Sequence, residues 1–331
     1  MKRLKKVKKI VGLVYKESPW KRLDCTPDAP LGTAKEVYQA YTKQVRDSYE
    51  QKSAAPDIPI DLKPTLLSGP NFGFRRNEVT LVAARPGAGK TAFIINAIDN
   101  LITAGGVNIA VFLPDMTQAE FCARLTAVRA GVEYDQFKKG WSPKSEWESI
   151  AKAGEEISSA NLWISTGNTF TVQSVFNAAR ELDLKLKKEK KKLDIVFIDS
   201  LNYLAECGDP IGPKGWACDT LTDLAKAIDG AVVCAYDLGI DKEDASFKIH
   251  PKLRDFRIRG ISEDYVGLII TIVRPEHYRI ETLYKNEVHL DIVWDRFAPD
   301  RQGFAAKFNR HSLRFYTDES RDTGDHGWGS L

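Results

Sequence analysis

Thirteen consecutive residues constrain this chain more than any others: Val79-Thr-Leu-Val-Ala-Ala-Arg-Pro-Gly-Ala-Gly-Lys-Thr91. The stretch begins as an apolar run of strand type and breaks at Arg85-Pro86-Gly87-Ala88-Gly89. After Lys90-Thr91 it continues as the helical pattern Ala92-Phe-Ile-Ile-Asn-Ala-Ile98. Strand, glycine-rich turn, Lys-Thr and helix in that order form a phosphate-binding loop. Small residues let backbone N–H groups turn inward around a phosphate, and a helix N-terminus adds positive potential. In such a loop Lys90 neutralises the outer phosphates of a nucleoside triphosphate and the Thr91 hydroxyl sits on Mg2+. The alternative is a tight strand-to-helix turn that happens to carry Lys-Thr; the flanking apolar segments favour the phosphate loop. One position departs from G-x-x-x-x-G-K-[ST]: the first glycine is Ala84.

A chain of 331 residues suffices for one large α/β domain with appendages or for two modest domains. A net charge of +3 is too small to point to nucleic acid by itself, so the distribution matters more. Met1 to Lys9 holds six basic residues in nine, and Lys185 to Lys192 is a second basic cluster. Cys25, Cys122, Cys207, Cys218 and Cys234 show no C-x-x-C spacing and read as reduced thiols of a cytoplasmic protein. No apolar run approaches a membrane span, and the basic start is not followed by a secretory core, so no membrane partner is expected.

Three regions follow from the pattern. Residues 1–55 read as a basic N-terminal arm and a helix. In that helix Val37, Tyr38, Tyr41, Val45 and Tyr49 share one face. Residues 56–317 read as the globular domain, and 318–331 as a polar, Gly-rich flexible tail. Within the domain, apolar strands are expected at 79–84, 108–113, 161–165, 193–199, 231–237 and 266–273, with helices between several of them. After Glu281 the pattern changes to strands with short turns. Strands alternating with helices and then hairpins imply an α/β fold: a mostly parallel sheet flanked by helices, with an antiparallel C-terminal extension.

Hydrolysis needs more than a phosphate loop: an acid near the metal, and a group that places the attacking water. Asp199 ends the apolar strand Ile195-Val-Phe-Ile198, and Asp115 and Asp237 end two others. Ligands of open α/β sheets gather at the carboxyl ends of strands, so these three carboxylates could converge on the loop. A turn or cap role is the plainer reading of each.

The motifs resemble, in order, those of DnaB-type replicative DNA helicases, whose core is a RecA-like ATPase. Ala83 to Thr91 resembles the family's phosphate loop, where Ala or Gly stands at the position of Ala84. Val111-Phe-Leu-Pro-Asp-Met-Thr117 resembles its strand-turn ending in Glu-Met-Ser, and Asp194 to Leu201 its Walker B strand. Asp255-Phe-Arg-Ile-Arg-Gly-Ile-Ser-Glu263 resembles the loop that touches single-stranded DNA. Three positions differ: Asp115 stands for the catalytic Glu, Asp237 for the sensor Gln, and Trp294-Asp-Arg296 for a Lys-x-Arg finger of which only Arg296 is kept. The family's N-terminal helical domain is expected to be missing.

The resemblance implies ATP and Mg2+ as cofactors. Arg85, Pro86, Gly87, Ala88, Gly89, Lys90 and Thr91 would hold the nucleotide, Thr91 and Asp199 the metal. Lys90, Asp115, Asp199, Asp237 and Arg296 would act in catalysis, Arg296 in a neighbour's site. Arg257, Arg259 and Gly260 would follow single-stranded DNA, whose backbone basic residues bind without reading bases. It further implies a homo-oligomer, a hexameric ring, working with a primase, polymerase or loader in the cytoplasm of a bacterial or phage-infected cell. Two other readings stay open: a RecA-like recombination or repair ATPase forming filaments, and a nucleotide-gated DNA-binding assembly protein with weak or no hydrolysis.

Overall fold

The apolar runs become adjacent strands of one sheet. The computed structural model describes residues 57–59, 73–204, 214–239, 250–278, 286–298 and 303–316. The basic arm, the helix expected over 33–49 and the tail lie outside the described residues.

The central strand is β3 (Val79–Ala84), buried along its whole length. Val82 and Ala84 face one hydrophobic cluster, and Val79, Leu81 and Ala83 face the other. Alternation on a strand covered on both faces gives a continuous apolar run, which is why the segment shows no polar face in sequence. Beside β3 run β7 (Ala231–Asp237) and β8 (Leu268–Val273), both parallel to it. Beyond β7 come β6 (Ile195–Ile198), β4 (Ile109–Leu113) and the edge strand β5 (Leu162–Thr166), again parallel. On the other side β9 (Glu287–Asp295), β10 (Phe304–Asn309) and β11 (Arg314–Tyr316) add antiparallel strands. The nine-stranded order is β11-β10-β9-β8-β3-β7-β6-β4-β5. The expected fold class, a mostly parallel sheet with an antiparallel C-terminal extension, is the one observed. A separate short pair joins β1 (Asp57–Pro59) to β2 (Gly73–Arg75).

Helices cover both faces. One face carries α1 (Lys90–Ala104) and α2 (Gln118–Ala130), and the other α5 (Val172–Lys188) and α6 (Lys214–Ile228). Two helices absent from the sequence reading, α3 (Tyr134–Lys138) and α4 (Trp147–Ser159), build a satellite cluster on Ala127, Val132 and Ile150. Helix α4 buries Ile150 and Ala153, and its Trp147, Ile150 and Ile157 recur at helical spacing, a periodicity that was legible in the sequence. Helix α5 starts at a Thr171–Ser174 capping box and runs into the second basic cluster. Lys185 and Lys187 there pair with Glu181 and Asp183 one turn back, the behaviour of a solvated helix end.

Candidate functional site

The carboxyl ends of β3, β7, β6 and β4 lie side by side in that order, and the turn after β3 rises at one end of the row. Gly87 and Gly89 have φ of +76° and +112°, a backbone region that residues with a Cβ rarely adopt. The Arg85 carbonyl accepts from Ala88 N–H at 3.3 Å and closes the turn. Gly89 is the N-cap of α1, and no side chain caps that helix. Its first-turn N–H groups therefore face the loop, as phosphate binding requires. Pro86 and Gly87 are exposed and Ala88 is buried.

The Lys90 ammonium folds back over this turn. It donates to the Ala84 carbonyl at 3.2 Å, to the Arg85 carbonyl at 3.3 Å and to Asp237 Oδ2 at 3.3 Å. The Thr91 hydroxyl lies close enough to the Asp199 carboxyl to favour its ionised form. Asp199 is buried at the end of β6, and that burial holds its carboxyl above the usual carboxylate range. Thr91, Lys90 and Arg124 oppose the shift, and Asp115 adds to it. Asp115 is exposed on the turn after β4. The three carboxylates expected to meet here do so: Asp115, Asp199 and Asp237 all act electrostatically on the Tyr203 hydroxyl.

Tyr203 is one of four neighbours that the sequence reading missed. It sits on the helical turn Leu201–Tyr203 just after Asp199, with its hydroxyl near Asp115. Burial, then the Asp115 charge, raises its phenol above the ordinary value. Asn202 locks the same turn to β7, accepting from Asp237 N–H at 2.6 Å and donating to its carbonyl at 3.0 Å. Both follow Asp199 within four residues, which is the signal that could have found them. Arg124 on α2 and Arg274, whose Nη1 lies 3.5 Å from the Gly87 carbonyl, carry no such signal.

Other expected residues lie elsewhere. Arg296 follows β9 at the opposite edge of the sheet, beside Gly267 and the start of β3, about 20 Å from the loop by strand length. Its guanidinium donates to Glu78 Oε1 at 3.3 Å and to the carbonyls of Asp264 and Val266. Arg257, Arg259 and Gly260 lie at and after α7 (Leu253–Arg257). Arg257 pairs with Glu263, which holds the guanidinium more basic and the Glu263 carboxyl lower than usual. Arg259 donates to the Asp255 carbonyl at 2.8 Å, and Ile258 between them is 79% exposed.

Comparison with known proteins fits this arrangement. The DnaB-like helicase C terminal domain family matches residues 66–317. Among curated relatives, the replicative DNA helicase DnaB of Geobacillus stearothermophilus is 24% identical over 69% of this chain and 50% of its own length. The replicative DNA helicase DnaC of Bacillus subtilis is 23% identical over 80% of this chain and 58% of its own. The chain thus spans about half the length of these relatives. Among solved structures, an ATPase domain superposes with a TM-score of 0.73 at 21% identity, covering 88% of this chain and 100% of that one. A DnaB-like replicative helicase superposes with a TM-score of 0.69 at 20% identity, covering 96% of this chain and 76% of that one. These likenesses show the fold.

Proposed function

We propose, for a chain that belongs to the DnaB-like helicase C-terminal domain family, that it hydrolyses ATP to move along single-stranded DNA as a replicative DNA helicase. The observation that carries this reading is that Lys90 and Thr91, which open the helix after the glycine turn, both act on the buried Asp199 carboxyl at the end of β6. A hydroxyl and a carboxylate are the hard oxygen ligands that Mg2+ takes together with substrate phosphates. Bound there, Mg2+ would neutralise charge developing on the transferred phosphoryl group. The turn Arg85 to Gly89 wraps the phosphates, and Lys90 draws the outer ones. Asp115, near Tyr203, orients the attacking water, and Asp237 lines the same wall. Arg296, at the far edge, serves the nucleotide of the next subunit, so activity depends on assembly into a ring, six-membered as in the family. Arg257, Arg259 and Gly260 contact the DNA backbone. A DnaB-like replicative helicase has been solved to show its interactions with primase, which makes primase the first partner to test, ahead of a loader or polymerase. The setting is the cytoplasm of a bacterial or phage-infected cell.

The test is DNA-stimulated ATPase and fork unwinding by wild type and Lys90→Ala. Wild type should open the fork, and Lys90→Ala should lose turnover by at least about 100-fold, as when an enzyme loses one preorganised charge donor. The double variant Arg257→Ala with Arg259→Ala should bind ATP normally and lose single-strand affinity and part of its salt dependence. One observation favours a second reading, a nucleotide-gated assembly protein: the Lys90–Asp237 pair ties up the loop cation. ATP binding by wild type without turnover, with or without DNA, would select that reading.

A further inference from the structure

We propose that Asp237 competes with phosphate for Lys90 and thereby makes nucleotide binding conditional on a divalent cation. This rests on the phosphate-loop reading above and assigns Asp237 a role different from that of a neutral amide at the same place.

The argument begins with the ammonium. Lys90 has three N–H donors and no acceptor. Three acceptors lie within hydrogen-bond distance: two loop carbonyls at 3.2 and 3.3 Å and Asp237 Oδ2 at 3.3 Å. A phosphate oxygen reaching Lys90 must take the place of one of them. The carbonyls are neutral and belong to the turn itself. The carboxylate is charged, and it is the acceptor that like-charge repulsion sets against an incoming phosphate.

Asp237 cannot easily move aside. It ends β7, in register with Ala84 at the end of β3. Its N–H and carbonyl are both held by Asn202, at 2.6 and 3.0 Å. Its second carboxylate oxygen accepts from Gly239 N–H at 2.9 Å, and Gly239 itself has φ of +65°. Backbone and side chain together aim the carboxylate at Lys90. Lys90 also acts on the Asp199 carboxyl, and Asp115 stands near Asp199 in turn, so acids line the lysine's side of the site.

Such a wall repels a bare triphosphate. A divalent cation bridging the phosphates lowers the ligand's charge and adds a positive centre that the carboxylates attract. The expected specificity is therefore for the metal complex of a nucleoside triphosphate, with the metal-free nucleotide excluded by Asp237 more than by the other two acids. An amide at 237 keeps the shape and removes the charge.

Calorimetric titration of the full chain with a non-hydrolysable ATP analogue, in excess Mg2+ and in excess EDTA, tests this on wild type and Asp237→Asn. Wild type should bind at least about 100-fold more weakly in EDTA, and Asp237→Asn should recover about tenfold of that loss while changing less than about threefold in Mg2+. An equal effect of the substitution in both buffers overturns the proposal, as does wild-type binding that is the same with and without metal. That last measurement needs no variant, so a misfolded Asp237→Asn does not shield the idea. Wild type that fails to bind the analogue even in Mg2+ overturns the phosphate-loop reading and the proposal together. Binding in Mg2+ with no recovery in EDTA overturns the proposal alone.

Discussion

The two edges of the parallel sheet treat charge in opposite ways. At the carboxyl edge, Asp115, Asp199 and Asp237 gather around the Tyr203 hydroxyl, Lys90 pairs with Asp237, and Asp199 is buried with a carboxyl pushed above its usual range. At the amino edge, charges neutralise one another. Arg75 holds Asp295 through both guanidinium nitrogens, at 2.7 and 2.9 Å, and Asp295 Oδ1 also accepts from the N–H groups of Phe297 and Ala298. Arg296 leans on Glu78, whose carboxylate fills the space left by Gly267. A Cβ at 267 would collide with that carboxylate. One strand, β3, joins the two arrangements, with Glu78 just before its first residue and the phosphate loop just after its last. The difference teaches that the amino edge is built for stability and the carboxyl edge carries a stability cost suited to holding a cation.

Four measurements can break or sharpen that contrast. The largest effect expected is on turnover. Arg296→Ala should cut DNA-stimulated ATPase by about 10³, the size of effect that a trans arginine has on phosphoryl transfer, with a smaller loss of melting temperature from the buried Glu78 it leaves behind. A fully active variant would leave Arg296 as a purely structural partner of Glu78. Next, Asp295→Ala should lower unfolding stability in urea by about 3 kcal/mol, because it takes the nearest carboxylate from the buried Arg75 guanidinium. A loss under about 1 kcal/mol would show that the amino edge is not a stabilising network.

Asp199→Asn should move the other way. Its carboxyl is raised by burial, so at neutral pH the charged form costs folded-state stability, and the amide removes that cost. The gain should be present near pH 7 and should vanish as pH falls toward the unfolded carboxyl value near 3.8. Hydrolysis should be lost at the same time. A destabilised Asp199→Asn would place the two edges in one class. The smallest effect is at His250, whose hydrogen bond to Asp291 at 2.6 Å raises the imidazole above its ordinary 6.5. A raised folded value contributes stability that is complete below pH 6.5 and lost as pH rises through the folded value. The difference in melting temperature between wild type and His250→Gln should therefore shrink from about pH 6 to about pH 8.

Legibility in the sequence followed the range of the physics. The loop from Arg85 to Thr91 and the acid ending β6 were readable, because the turn, the helix start and the strand end are each set within a few residues. Asn202 and Tyr203 were within reach for the same reason. Arg124 was not, since it is one arginine on a helix face and only its approach to Asp199 in the folded chain gives it meaning. The pair Arg75–Asp295 spans 220 residues, and no local pattern announces it.

By itself, then, the chain determined its element types, its α/β class and the phosphate loop, since propensity, alternation and glycine backbone freedom act locally. Only the tertiary structure decided that β7 would lie between β3 and β6, setting Asp237 level with Ala84 and against Lys90. Strand order depends on which apolar faces bury best together across long crossovers, and a run of buried residues reads the same at any place in a parallel sheet.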